Sequence, residues 1–276
     1  MPDIVIHVLV SAVYFGLAWH FWNTRWRHAA AQAGPGAALQ PWERSAILVP
    51  LALHAALLYD GILGGEELRF GFAHALSAML WLAAAIYWIE NLYVRLEGLQ
   101  PVVLAAAALC AMLPAWFPGR LILHGASMEF RAHLALAIVA HSVFMIAILH
   151  AALMMFADRV LHRKGRSFVP VASLPPLLSI EQMLFRLIWV AFVLLTLTLA
   201  SGMALSDSLF GRAMRFNHET VFALLAWITV GVLLLGRHFY GWRGRTAVRW
   251  TVAGFVMVVL ANIGTAFVLE VLLRRS

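Results

Sequence analysis

The sequence predicts an all-α, polytopic integral membrane protein whose eight transmembrane helices form one bundle. Hydrophobic residues make up 63% of the 276 residues, and charged residues make up only 12%. The mean hydropathy of +0.86 lies far above that of soluble globular domains. A chain with so few polar residues cannot bury its apolar side chains in one soluble core. We therefore treat residues 1–276 as a single transmembrane domain with no soluble domain.

Eight apolar segments are long enough to cross a bilayer core of about 30 Å. They fall at about 4–22, 45–63, 71–89, 99–117, 128–157, 183–205, 218–236 and 247–270. Ser127 is placed to cap the fifth segment and Asn217 the seventh. Ser179 to Gln182 match the capping-box pattern and predict the start of the sixth segment. Glu90 to Gly98 are predicted to form a turn between the third and fourth segments.

The distribution of basic residues predicts the orientation of the bundle. Of the 20 Lys and Arg residues, thirteen fall at one end of the eight segments and seven at the other. The positive-inside rule places the richer end, which includes Arg163, Lys164 and Arg166, in the cytoplasm. Both termini are then predicted to lie outside.

Cysteine usage and charge exclude several classes of function. The only cysteine, Cys110, rules out an internal disulfide and any cysteine-based metal cage. The chain lacks a Cys-x-x-Cys-His motif, which excludes covalently attached c-type haem. The net charge of +7 is scattered among apolar segments and forms no patch, so we expect membrane lipids and not nucleic acid as partners.

The fifth segment carries the first sign of a binding site. It has no charged residue between Arg131 and Asp158, yet it holds His133, His141 and His150. An ionisable side chain within a membrane span is costly, and it usually faces the bundle interior or a cavity. These histidines therefore point to a site inside the bundle.

Four histidines on four different segments are predicted to lie in the outer half of the membrane. A helical rise of about 1.5 Å per residue places His133 roughly 9 Å and His54 roughly 13 Å below the outer surface. His74 and His218 fall within about one turn of that surface. The four side chains could therefore face a common cavity.

This pattern favours a non-covalent haem b site. Two neutral imidazoles on facing helices can coordinate a haem iron from both sides. From the sequence pattern alone, the iron ligands could come from any of His54, His74, His133 and His218. Arginines can pair with haem propionates, and those at the predicted outer level are Arg131, Arg212 and Arg215.

Other roles for these histidines remain open. A membrane histidine can form a hydrogen bond across helices and so fix their packing. We favour that role for His141 and His150, since His150 lies roughly 25 Å deeper than His133. An electron carrier with two stacked haems would instead need His150 or His238 as inner ligands. Glu270 fits a proton relay or a simple interfacial position.

Several stretches resemble the cytochrome c assembly superfamily, which includes CcsA and CcmC. The stretches Leu194 to Gly202, Asn217 to Trp227 and Gly241 to Arg245 carry the resemblance near the C-terminus. Leu53-His54-Ala55 and His133-Leu134-Ala135-Leu136 resemble histidine motifs of its HemX-like branch of CcsA-like inner-membrane proteins. The resemblance covers most of the chain from about Leu51 onward.

The resemblance implies a multi-pass protein of the bacterial inner membrane that handles haem at the outer face. It implies that His133 is a haem ligand and that His54 matches a histidine shared within the smaller branch. We therefore predict His133 and His54 as the iron ligands, with His218 as the alternative and His74 as a further lining residue. Other cytochrome c assembly proteins are the partners it implies. Unlike CcsA, the chain has no tryptophan-rich WWD segment between Phe210 and His218 and no late outer histidine. We therefore do not expect it to catalyse thioether formation alone.

The resemblance also implies a second kind of function. HemX-like relatives are linked to the abundance of a haem-biosynthesis enzyme. A regulatory membrane protein of that kind would act through its inner face, where Arg163 to Arg166 and Gly241 to Arg245 lie. This class of function does not require bound haem.

Overall fold

The computed structural model describes residues 2–27, 40–63, 69–93, 99–121, 127–162, 176–210 and 218–261, and these residues form nine α-helices and one pair of short strands. The helices are α1 (Pro2–Phe21), α2 (Pro41–Ala46), α3 (Leu48–Leu63), α4 (Phe72–Tyr93), α5 (Gln100–Trp116), α6 (Met128–His162), α7 (Leu177–Phe210), α8 (His218–Tyr240) and α9 (Gly244–Val259). A π-helical segment, Trp22–Arg27, continues α1. The strands β1 (Arg69–Phe70) and β2 (Arg120–Leu121) pair antiparallel.

The predicted class of a polytopic helical membrane protein is confirmed. Six helical segments in the described part of the chain are long and apolar enough to cross a membrane. They are Ile4–Arg25, Pro41–Ile62, Phe72–Tyr93, Met128–Arg159, Leu177–Leu205 and His218–Tyr240. Helix α5 is apolar but has 17 residues, and α9 has 16 described residues. The count of eight crossings and the outer position of both termini stay predictions.

Small side chains bring the helices close together. Helix α1 packs on α5, α4 packs on α5 and α6, and α6 packs on α7 and α9. Along the α4 and α5 surfaces the fully buried residues include Ala83, Ala84, Ala107 and Ala111. Alanines suit this contact because helices in lipid gain no hydrophobic driving force and associate through close van der Waals packing.

The strand pair fixes how α4 and α5 run through the bundle. Arg69 pairs with Leu121 and Phe70 with Arg120, so the start of α4 and the end of α5 lie at the same end. Gly119 precedes β2 with φ of +71°, and a Cβ there would lie 2.9 Å from the Phe70 carbonyl carbon. Only glycine fits this turn. Helix α5 therefore traverses the bundle antiparallel to α4, over about 25 Å.

Helix boundaries confirm one predicted cap and correct two other predictions. The Phe130 amide donates to Ser127 Oγ at 3.2 Å, which confirms the cap of α6. Helix α7 begins at Leu177, so Ser179 lies inside its first turn and the predicted start was wrong. The Pro176 carbonyl accepts from the Ser179 and Ile180 amides and starts the helix instead. Glu90 is a buried residue of α4, not part of a turn. Asn217 lies outside the described residues.

Candidate functional site

His133 lies near the start of α6 and faces the end of α7. Its Nδ1 is 2.8 Å from Ser201 Oγ. The Ser201 hydroxyl is 3.1 Å from the Thr198 carbonyl, to which it donates. Because that hydroxyl has one proton, His133 Nδ1–H must donate to Ser201 Oγ. In the neutral imidazole the other ring nitrogen, Nε2, then carries the lone pair.

Gly202 lies beside the edge of the His133 ring and presents no side chain to it. A Cβ at Gly202 would lie 3.3 Å from His133 Cε1 and 3.9 Å from Nε2. The contact with Cε1, the carbon next to Nε2, would be tight. A fixed Nδ1–H with a free Nε2 is the arrangement that metal-binding histidines adopt. The residues around His133 therefore fit an axial haem ligand.

Sequence reasoning did not identify Ser201 and Gly202 as part of this site. Both end the Leu194 to Gly202 stretch that carries the family resemblance. The sequence signal for them is a pair of small residues in the C-terminal third of an apolar helix. Such a pair marks a close approach by another group, but it does not say which side chain approaches.

His54 is completely buried and links three helices. Its Nε2 is 2.8 Å from Ser77 Oγ on α4, and its Nδ1 is 3.4 Å from the Tyr14 hydroxyl on α1. The ring also packs edge-on against Tyr14, with 5.6 Å between ring centroids. Both ring nitrogens therefore have hydroxyl partners. Coordination of iron by His54 requires that one of these hydrogen bonds breaks.

His74 lies beside a small cavity at the N-terminal end of α4. Its Nδ1 is buried and has no hydrogen-bond partner among the described residues. The cavity has a volume of about 150 Å³, and His7, Asp60 and Arg69 also line it. Cofactor pockets have volumes of about 300–1,000 Å³. This cavity is therefore large enough for several waters but not for a porphyrin.

The predicted site residues lie on different helices and make different contacts. Ser77 joins His54 to α4, which also carries His74, whereas His133 lies at the α6–α7 contact. His218 is the exposed first residue of α8, and Arg131 is exposed on α6, two residues before His133. Arg212 and Arg215 lie outside the described residues. Within the described ranges, no three or more His, Cys, Asp or Glu side chains are grouped to hold a metal ion.

The deeper histidines of α6 bond to their own helix. His141 Nδ1 is 2.5 Å from the Ala137 carbonyl, and His150 Nδ1 is 2.9 Å from the Ile146 carbonyl. His150 Nε2 also lies 3.4 Å from Glu90 Oε2 on α4. This buried α4–α6 pair was not predicted, because Glu90 was assigned to a turn. The approach of His150 to Glu90 lies between α4 and α6, where a packing role for His150 would act. The hydrogen bond of His141 to Ala137 stays within α6, so its packing role stays a prediction.

The fold defines the class of this chain as a multi-pass helical membrane protein, and comparison with known proteins then gives its family. Residues 51–273 match the profile described as Cytochrome C assembly protein. The chain is 31% identical to Inner membrane protein YpjD of Escherichia coli (strain K12) over 240 residues, which cover 84% of this chain and 89% of YpjD. The chain belongs to the cytochrome c assembly protein family and is a multi-pass protein of the bacterial inner membrane. The resemblance to that superfamily is confirmed.

Two further relatives are similar over shorter regions. An uncharacterized 28.8 kDa protein of Azospirillum brasilense is 29% identical over 142 residues, which cover 51% of this chain and 52% of that protein. Cytochrome c biogenesis protein CcsA of Prochlorococcus marinus (strain MIT 9303) is 33% identical over 86 residues, which cover 31% of this chain and 27% of CcsA. No solved structure matches the chain.

Proposed function

We propose that this protein binds haem b non-covalently at the outer end of its helix bundle and holds or passes it in cytochrome c-type biogenesis. Membership of the cytochrome c assembly family supports haem as the ligand. The observation that carries the proposal is the environment of His133. Its Nδ1–H donates to Ser201, and Gly202 presents no side chain to the edge of the ring that carries Nε2. Haem, once bound, supplies an iron with two axial positions.

Two histidines compete for the second axial position. His54 is the first choice from the sequence, but its ring nitrogens already contact Tyr14 and Ser77. His218 begins α8 at the same end of the bundle as His133, and its ring is exposed. The hydrogen bonds of His54 thus favour His218, with His54 as the alternative. Arg131, Arg212 and Arg215 are proposed to pair with the propionates.

Absorption spectra of the purified protein test this proposal. Detergent-purified protein loaded with haem should show a Soret band and about one haem per chain. His133→Ala should remove the band, because the fixed imidazole is lost. Variants of His54, His74 and His218 would then identify the second ligand.

The control variant is His238→Ala, which removes an exposed histidine at the other end of α8. It should retain the full Soret band. A His133→Ala variant with an unchanged spectrum contradicts the proposal, and so does a wild-type protein that takes up no haem. Two haems per chain would instead favour the electron-carrier alternative.

A regulatory function remains the second candidate, and the inner end of the bundle supports it. Arg243 and Arg245 have side-chain exposures of 65% and 78%. A basic exposed turn can contact a soluble partner such as a haem-biosynthesis enzyme. Colourless protein that co-purifies with that enzyme, and loses it when both arginines become Gln, would favour this function.

A further inference from the structure

A second cavity opens where α6, α7 and α9 meet at the opposite end of the bundle from His133. Its volume is about 500 Å³, which lies within the range of small-molecule sites. The apolar part of its wall consists of Met154, Met155, Leu177, Leu178 and Val248. These side chains suit a hydrocarbon chain, since none of them offers a strong hydrogen bond.

The charged side chains around this cavity carry a net positive charge. The carboxylate of Asp158 accepts from Arg245 at 3.2 Å, and that of Glu181 accepts from Arg237 at 2.8 Å. Arg159 and Arg249 also line the cavity, and neither forms an ion pair with a carboxylate of the described residues. Two guanidinium groups therefore remain available at the cavity for an anion.

The position of the cavity in the membrane limits what can occupy it. It lies where α6 ends and α7 and α9 begin, at the end that the positive-inside rule assigns to the cytoplasm. Lipid head groups lie at this level, and basic pockets between membrane helices on the cytoplasmic side bind anionic head groups. The Arg159 guanidinium lies 3.7 Å from Met155 Sδ, so one side chain borders both the polar and the apolar part.

We propose that this cavity binds one anionic phospholipid. Its phosphate contacts Arg159 and Arg249, and an acyl chain lies along Met154, Met155 and Val248. A zwitterionic lipid fits less well, because its ammonium group meets the same positive surplus. The lipid binds without haem, so this site is independent of the one at His133.

Native mass spectrometry of the delipidated full-length protein tests the site with phosphatidylglycerol and phosphatidylethanolamine. Wild-type protein should retain one phosphatidylglycerol more tightly than phosphatidylethanolamine. Arg159→Gln and Arg249→Gln should each weaken phosphatidylglycerol binding about fivefold, and together about 25-fold. Leu178→Trp should weaken it as well, because the indole fills the cavity without changing its charge.

The matched control is the double variant Arg44→Gln/Arg186→Gln, which removes two exposed arginines outside the cavity. It should bind phosphatidylglycerol as wild type does, and so should His133→Ala. Equal binding of the two lipids overturns the proposal, as does equal weakening in the control. Displacement of the lipid by haem at one per chain also overturns it, since the cavity would then be a haem site.

Discussion

At the scale of single residues, the hydroxyl of Ser201 decides which nitrogen of His133 is free. In Ser201→Ala the Nδ1–H loses its acceptor at 2.8 Å, and the ring can rotate or change tautomer. Loss of such a supporting group lowers metal affinity about 10- to 100-fold. We therefore expect haem affinity, measured by titration of the apoprotein, to fall by that factor.

Ser142→Ala is the control for this change. Ser142 lies on α6 and donates to the Ile138 carbonyl of its own helix at 2.6 Å, away from His133. It should leave haem affinity unchanged. Equal affinities for wild type and Ser201→Ala would show that the hydroxyl does not orient the ligand.

The Gly202→Ala variant tests haem binding separately from the stability of the helix. Alanine is favoured over glycine within a helix by about 1 kcal/mol, so Gly202→Ala should not destabilise the protein. Its Cβ would nevertheless lie 3.3 Å from His133 Cε1 and crowd the free edge of the ring. We expect lower haem occupancy with an unchanged or higher melting temperature.

The control is Gly16→Ala on α1, where a Cβ meets no atom within 4 Å. It should change neither occupancy nor the Soret maximum. If Gly202→Ala binds haem as well as Gly16→Ala does, the space beside His133 is not used by a ligand.

Single residues also show what the sequence could and could not predict. His133 was predicted from its position in an uncharged apolar segment and from a family motif. Its partner Ser201 is 68 positions away along the chain, and only the packing of α6 on α7 brings them together. The hydroxyl partners of His54 depend in the same way on three helices. Local patterns identify an unusual side chain but not the groups that complete its hydrogen bonds.

At the scale of elements, Glu43 joins α1 and its π-helical extension to α2. Its carboxylate accepts from Arg25 at 2.6 Å and from the Gln40 amide at 2.8 Å, and it lies 2.9 Å from His20 Nε2. Glu43 is 3% exposed and Arg25 is 8% exposed. Glu43→Gln replaces a charge-assisted hydrogen bond to the buried Arg25 with a neutral one, which costs about 1–2 kcal/mol.

This cost should appear in the free energy of unfolding measured in detergent with denaturant. Glu129→Gln, an exposed change at the start of α6, should alter it by less than about 0.5 kcal/mol. The double variant Arg25→Gln/Glu43→Gln should recover part of the loss, because the buried charge is then absent. A Glu43→Gln protein as stable as wild type would mean that water screens Arg25.

The elements also show which helix boundaries could be predicted from the sequence. Apolar length located α4, α5 and α8 within about four residues, but it ended α6 five residues early and began α7 six residues late. It also ended α4 before Glu90, which was assigned to a turn, although α4 continues to Tyr93 and buries Glu90. It also missed β1 and β2, since strands of two residues have no periodicity. The strands depend on a partner about 50 residues away in the chain.

At the scale of the whole molecule, the number and direction of crossings can be tested with introduced cysteines. Cys110 is the only native cysteine, so Cys110→Ala provides the background. Four exposed positions mark helix ends: Tyr93 at 84%, Trp116 at 65%, Met128 at 76% and Tyr240 at 80%. The eight-crossing prediction with the positive-inside orientation places Trp116 and Met128 outside and Tyr93 and Tyr240 inside.

A membrane-impermeant maleimide should therefore label Trp116→Cys and Met128→Cys in intact spheroplasts. It should label Tyr93→Cys and Tyr240→Cys only after permeabilisation.

The most informative comparison is between the two ends of α5. Its 17 residues span about 25 Å, and the bilayer core is about 30 Å thick. The pairing of β1 with β2 puts the end of α5 beside the start of α4, so α5 must return across the bundle. Labelling of Tyr93→Cys and Trp116→Cys from the same side would contradict that crossing. If the labelling pattern is reversed at all four positions, the predicted orientation is wrong. The cavity lined by Arg159 and Arg249 would then not face the cytoplasm.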